Sequence, residues 1–141
     1  MRLCVVDCSF AMAWVFEDER NPSADALLDQ LDAGHWFVVP AVLWGIEVRD
    51  TLRSAVRRRR LTHAGADERR RALAELPKIA VACPNGLGDV VDELVKTHDL
   101  TSYDAAYLAV AIELALPLAT ADAMLTKAAQ VAGVPLYAPS R

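Results

Sequence analysis

The sequence predicts an α/β fold built on a parallel sheet, and two observations carry that expectation. Short apolar runs of strand character alternate with helical patterns along the whole chain, with no repeat or low-complexity linker between them. The strand runs are valine-rich and do not alternate apolar with polar residues, as strands do when both faces of their sheet are covered.

Residues 2–7 (RLCVVD) form a first β run, and Ser9 is placed to cap a helix through about residue 16. Pro22 stands near the start of an acidic-surfaced helix, PSADALLDQLDAG, where its missing N–H costs nothing because first-turn donors have no helical partner; Gly34 is the stop signal. HWFVVP is the second strand and ends at Pro40. The next helix runs from about residue 41 into a block of arginines, with Trp44, Val48, Leu52 and Ala55 as its apolar stripe. Residues 67–76 read as a helix, IAVAC as a third strand and 89–98 as a helix with a mixed face. The series ends with the apolar helix SYDAAYLAVAIELAL, a strand LPLATAD, a helix AMLTKAAQVAG and the closing run VPLY.

A length of 141 residues predicts one domain spanning 1–141, enough for a single core and not for two. The longest apolar stretch, 105–120, is interrupted by Glu113 and Pro117 and is too short to cross a bilayer. MRLCVVDCSF has one basic residue, then a short apolar run reaching an Asp with no small-residue cleavage pattern, so it reads as a strand and not a signal peptide. Cys4, Cys8 and Cys83 are odd in number and lack CxxC or histidine spacing, which predicts a reduced cytoplasmic protein with inert thiols.

Four acidic residues stand out by position. Asp104 lies in a helix whose only other charge is Glu113, and at 100° per residue it shares a face with Tyr107, Leu108 and Ala111 while Glu113 points the other way. A carboxylate on a buried face costs several kcal/mol unless it is neutralised, paired or bound to a cation. A first-turn carboxylate complementing the helix dipole is the plainer explanation. Asp7 and Asp122 each end a strand and open a helix, so both belong to the strand-end edge where parallel α/β sheets place ligands; each is also a good N-cap. Glu47 lies at the edge of its helix's apolar stripe, on the side of Asp50 and Ser54. Capping does not explain four acids aimed at one edge, two of them on faces that ought to be apolar.

Oxygen-only ligation suits a hard divalent cation, Mg²⁺ or Mn²⁺, which keeps waters and binds substrate phosphates. His35, His63 and His98 are scattered in loops or helix ends and read as surface residues, which disfavours zinc. The chemistry that follows is in-line hydrolysis of a phosphodiester by metal-activated water. Net charge is −4, yet nine of the fifteen basic residues fall between positions 49 and 71, and all nine are arginine. A solvated helix end accounts for any one of Arg57, Arg58, Arg59 and Arg60. Taken together with Arg53, the cluster reads as a footprint for RNA or for an acidic protein partner.

VVDCS at the first strand, VPAVLWGIEV around Glu47, LTSYDAAYLAVAIELALPLATAD through Asp104 and Asp122, and the terminal KAAQVAGVPLY together resemble the PIN-domain family. Within it, they are similar to the VapC-type toxin ribonucleases of bacterial toxin-antitoxin modules. The third stretch is the specific one, and the resemblance covers the whole chain. It implies a three-layer α/β/α domain with a parallel, Rossmann-like sheet. It also implies Mg²⁺- or Mn²⁺-dependent endoribonuclease activity, a homodimer and a cognate antitoxin. By position, Asp7, Glu47, Asp104 and Asp122 match the acidic metal-binding quartet, and Ser9 and Thr120 match supporting hydroxyls.

One departure is Asp50, where the family often carries an amide. A carboxylate there either adds metal affinity or repels Glu47 and raises its pKa, unless Arg49 or Arg53 offsets it. A haloacid-dehalogenase-type phosphotransferase wants a second Asp two residues after the first, where this chain has Ser9. A phosphoreceiver domain wants adjacent acids near its first strand and a Lys after a late one, and neither occurs. The rival from a different class is a PIN-like module that binds nucleic acid or a partner without cutting.

Overall fold

The computed structural model describes residues 2–83 and 88–139. Four strands, β1 (Leu3–Val6), β2 (Trp36–Pro40), β3 (Lys78–Val81) and β4 (Leu118–Ala119), form one sheet in the order β3-β2-β1-β4. Every pairing is parallel, with Val5 opposite Val38 on one side and Leu118 on the other. Among the described residues, seven α-helices flank the sheet: α1 (Cys8–Ala11), α2 (Pro22–Asp32), α3 (Leu43–Arg57), α4 (His63–Glu75), α5 (Asp89–His98), α6 (Ser102–Leu114) and α7 (Ala123–Val131). The result is the three-layer α/β/α architecture that the alternating pattern predicts. No helix among the described residues is long and apolar enough to cross a membrane.

The core explains why β1 and α6 anchor the molecule. Val5 and Val6 are fully buried, as are Ala105, Ala106, Tyr107 and Leu108 of α6, which packs on β1 and β2. Glu113 is exposed, as its helical phase predicts. Gly34 (φ +97°) follows α2 and Gly133 (φ +76°) follows α7, both in the left-handed region where a side chain is strained.

Several boundaries differ from expectation for identifiable reasons. The cap of α1 is Asp7 and not Ser9: its carboxylate accepts the Phe10 N–H, and regular α-helix stops at Ala11, giving way to a 3₁₀ turn over Met12–Trp14. α4 begins at His63, four residues early, because Thr62 caps it by accepting the Gly65 N–H at 3.0 Å. β4 is two residues long where LPLATAD suggested seven. Beyond Ala119 the amides of Ala121 and Asp122 donate to the hydroxyls of Ser9 and Thr120, so the ladder is diverted into side chains. β3 has only β2 as a neighbour, and Ile79 and Ala80 on it are exposed, so double coverage fails at that edge.

Candidate metal centre at the strand ends

Because the strands are parallel, β1 and β4 finish at the same edge and deliver Asp7 and Thr120 side by side. Asp7 is the one polar or charged residue buried among those described, 3 % exposed. Its Oδ1 accepts the Ser9 hydroxyl at 2.8 Å and the Phe10 N–H at 2.9 Å, and its Oδ2 accepts the Thr120 hydroxyl at 2.6 Å. Ser9 in turn accepts the Ala121 N–H, and Thr120 accepts the Asp122 N–H, both at 3.0 Å. The two hydroxyls thus lash the end of β1 to the start of α7. Asp122 caps α7 through Oδ2, which accepts the Leu125 N–H at 2.8 Å.

Two further acids arrive from helices. The Thr101 hydroxyl caps α6 by accepting the Asp104 N–H at 3.1 Å, which sets Asp104 in the first turn. On α3, Trp44, Val48, Leu52 and Ala55 are buried, and Glu47 sits beside that stripe, half-buried. Asp7, Glu47, Asp104 and Asp122 line one cavity of about 290 Å³, joined by Glu19 and Tyr107. The quartet read from the sequence is therefore brought together, and Ser9 borders the same cavity while Thr120 supports it through Asp7.

The electrostatics are those of crowded, partly desolvated anions. Burial pushes the Asp7 carboxyl up from 3.8 to about 6 against the opposing hydrogen bonds of Thr120, Phe10 and Ser9, and the charge of Asp104 adds to the rise. Burial also raises Glu47, with Asp104, Asp7 and Asp50 adding repulsion, and raises Asp104, with Asp122 adding to it. Glu47 Oε1 and the Tyr107 hydroxyl are buried without a hydrogen bond of good geometry. The hydroxyl is nonetheless near enough to favour the charged form of Glu47. Crowded, partly buried carboxylates that repel one another are relieved by a cation. By donor chemistry the set fits a hard divalent ion. Among the described residues, however, no three of these side chains are drawn in tightly enough to form a ligand set as they stand.

The other expected residues are placed differently. Asp50 is exposed and acts on Glu47 by repulsion, while Arg49 and Arg53 line a separate cleft. Arg53, Arg57, Arg58, Arg59 and Arg60 are all exposed, but Arg60 is engaged: it donates to Asp18 and Glu19 at 3.0 and 3.2 Å and lies over the Phe16 ring. The thiols of Cys4 and Cys8 are buried and pushed up to about 12, which keeps them protonated. Glu19, Thr51 and Tyr107 border the cavity without having been singled out. Thr51 and Tyr107 carried a signal, being one helical turn after Glu47 and Asp104; Glu19, in a 3₁₀ turn, carried none.

Comparison with known proteins agrees with this architecture. The PIN-domain family model matches residues 4–131. The structure of PAE2754 from Pyrobaculum aerophilum aligns with a TM-score of 0.67 at 22 % identity, covering 91 % of this chain and 84 % of that one. FitAcB from Neisseria gonorrhoeae aligns with a TM-score of 0.53 at 17 % identity, covering 99 % and 98 %. At those identities the likeness is one of fold. A comparison with curated proteins gives no significant match.

Proposed function

This chain belongs to the PIN-domain family, whose members are typically metal-dependent nucleases, and we propose that it is a Mg²⁺- or Mn²⁺-dependent endoribonuclease, the toxin of a type II toxin-antitoxin pair. The observation that carries this reading is the convergence of four acids from four separate elements on one cavity. Asp7, Glu47, Asp104 and Asp122 would hold the ion. When bound, it supplies Lewis-acid polarisation of the phosphodiester and a nucleophilic water at neutral pH.

The chain's own residues do the rest. Ser9 and Thr120 orient the Asp7 carboxylate by hydrogen bonds to both its oxygens. The capping bonds from Phe10 and Leu125 hold Asp7 and Asp122 at the cavity wall. One of the four carboxylates would orient the attacking water or take its proton. The toxin role, the cognate antitoxin, the homodimer, the cytoplasmic setting and a single nuclease domain over 1–141 are supported by the sequence resemblance.

A second reading, a module that binds without cutting, has in its favour that Asp7 and Asp122 already serve as helix caps. Incubating purified protein with single-stranded RNA separates the two. The nuclease yields fragments in Mn²⁺ or Mg²⁺, none in EDTA, and none from Asp104→Asn. RNA bound but uncut in either metal establishes the binding module instead.

A further inference from the structure

Resting on the reading that RNA is the substrate, we propose that the cleft between α3 and α4 holds a backbone phosphate of that RNA away from the point of cleavage. The cleft encloses about 330 Å³ and is lined by Arg49, Arg53, His63 and Arg70 around the apolar side chains of Leu52 and Val56. Arg49 and Arg53 are one turn apart on α3, and Arg70 faces them from α4.

At 100° per residue, Arg49 and Arg53 lie about 200° and about 240° around α3 from Glu47. The cleft and the carboxylate cavity therefore occupy different faces of one helix, and they share no lining residue. A helix with its side chains is about 10–12 Å across, so a strand laid over α3 reaches both within a few nucleotides.

What distinguishes this cleft from the rest of the arginine-rich stretch is that three guanidinium groups line one concavity; Arg57, Arg58 and Arg59 are exposed but do not line it. Three guanidinium groups face one carboxylate, Asp67, whose contact with Arg70 is long at 3.9 Å and exposed. Arg53 makes no hydrogen bond or ion pair with any of the described residues, and Arg49 commits one nitrogen to the Gly45 carbonyl at 3.1 Å. Arg60 is spent on Asp18 and Glu19, and Arg69 donates to the carbonyls of Val15 and Gly65. The planar fork of arginine matches phosphate oxygens in pairs, and the apolar floor strengthens such a contact by excluding water. A carboxylate cavity in a chain of net charge −4 repels a polyanion, so the substrate must be gripped by cations elsewhere. The cleft is built on the helix that carries Glu47 and lies within a few nucleotides' reach of the carboxylate cavity, which favours the substrate's own backbone over an acidic protein segment as its occupant.

The test is fluorescence anisotropy of a labelled single-stranded RNA in EDTA, across a salt series, with wild type, Arg53→Gln/Arg70→Gln and the exposed, charge-matched control pair Lys96→Gln/Lys127→Gln on α5 and α7. The cleft variant is expected to bind roughly tenfold more weakly, and its slope of log affinity against log salt should fall by about 0.7, the value for one lost single-strand phosphate contact. Arg53→Lys/Arg70→Lys should recover most of the slope. Unchanged affinity and slope in the cleft variant overturn the proposal, as does an equal loss in the control pair. So does a variant that keeps RNA affinity but loses binding of poly-glutamate, which assigns the cleft to an acidic protein segment. Absence of cleavage in Mn²⁺, with cleft-dependent binding intact, removes the nuclease reading and leaves this one standing.

Discussion

Replacing Asp7 by asparagine tests whether this fold carries a buried charge that only a cation relieves. The carboxyl is 3 % exposed and raised from 3.8 to about 6, a difference of about 2 pH units or about 3 kcal/mol. Its folded value lies above its unfolded one, so the unfolded chain releases the proton first as pH rises. The stability owed to neutral Asp7 is fully present below about pH 4 and is lost as pH climbs through about 6. Glu47 and Asp104 are raised too and act in the same direction. Asp7→Asn cannot ionise, yet it still accepts the Phe10 N–H, and the Ser9 and Thr120 hydroxyls can rotate to accept from the amide. Allowing about 1 kcal/mol for weaker hydrogen bonds, the variant should be more stable than metal-free wild type by about 2 kcal/mol at pH 7 and less stable at pH 4. Urea unfolding in EDTA at both values measures this. Added Mg²⁺ should then raise the stability of wild type at pH 7 and leave the variant unmoved. A difference between the two proteins that stays constant from pH 4 to pH 7 would refute the buried-charge argument.

Asp104→Ala should abolish RNA cleavage while leaving the metal-free melting temperature equal or higher, since it removes a charge that raises both Asp7 and Glu47; marked unfolding in EDTA contradicts it. Thr120→Val deletes the 2.6 Å bond to Asp7 and the acceptor for the Asp122 N–H, so denaturation should show a loss of about 1–3 kcal/mol. The same variant should move the Asp7 titration further upward, readable by carboxyl NMR, because a hydrogen bond that favours the charged form is gone. Arg60→Ala should cost about 1 kcal/mol through its exposed ion pairs and its stacking on Phe16, and change RNA affinity little. An RNA-binding loss as large as that of the Arg53 and Arg70 pair would show that Arg60 releases its acidic partners to bind nucleic acid.

What was legible in the sequence was whatever a short-range pattern dictates. Apolar runs set β1 and β2, the phase of α6 separated Asp104 from Glu113, and Gly34 marked the end of α2. The strand-end positions of Asp7 and Asp122 became a site once the sheet was taken as parallel. The misreadings share one cause, which is side chains that capture backbone donors. Asp7 displaced Ser9 as the cap of α1, Thr62 started α4 early, and the hydroxyls of Ser9 and Thr120 cut β4 short. Three of these bonds are local, joining residues two or three apart, and compete with the pattern inside its own window; the bond between Ser9 and Ala121 joins residues 112 apart, which no local window contains. The arginine block was legible as charge but not as geometry. Only the packing of α3 against α4 separates Arg53 and Arg70, which face a cleft, from Arg60, which closes a structural ion pair.

Capping and metal binding need not compete for the same acids. A carboxylate offers about four lone-pair directions on two oxygens, and an N-cap uses one of them. At Asp122 the capping bond engages Oδ2, which fixes the side chain and turns Oδ1 toward a different role. At Asp7 the four contacts come from three donors, since the single Ser9 hydroxyl hydrogen is shared between 2.8 and 3.0 Å. Rotation of that one hydroxyl therefore frees a direction on Asp7 without disturbing the cap from Phe10 or the strap from Thr120. The helix starts hold the carboxylates in place against their mutual repulsion. The two caps hold Asp7 and Asp122 at the strand-end edge and leave lone pairs open on both, so capping and a cation site are compatible at the same acids.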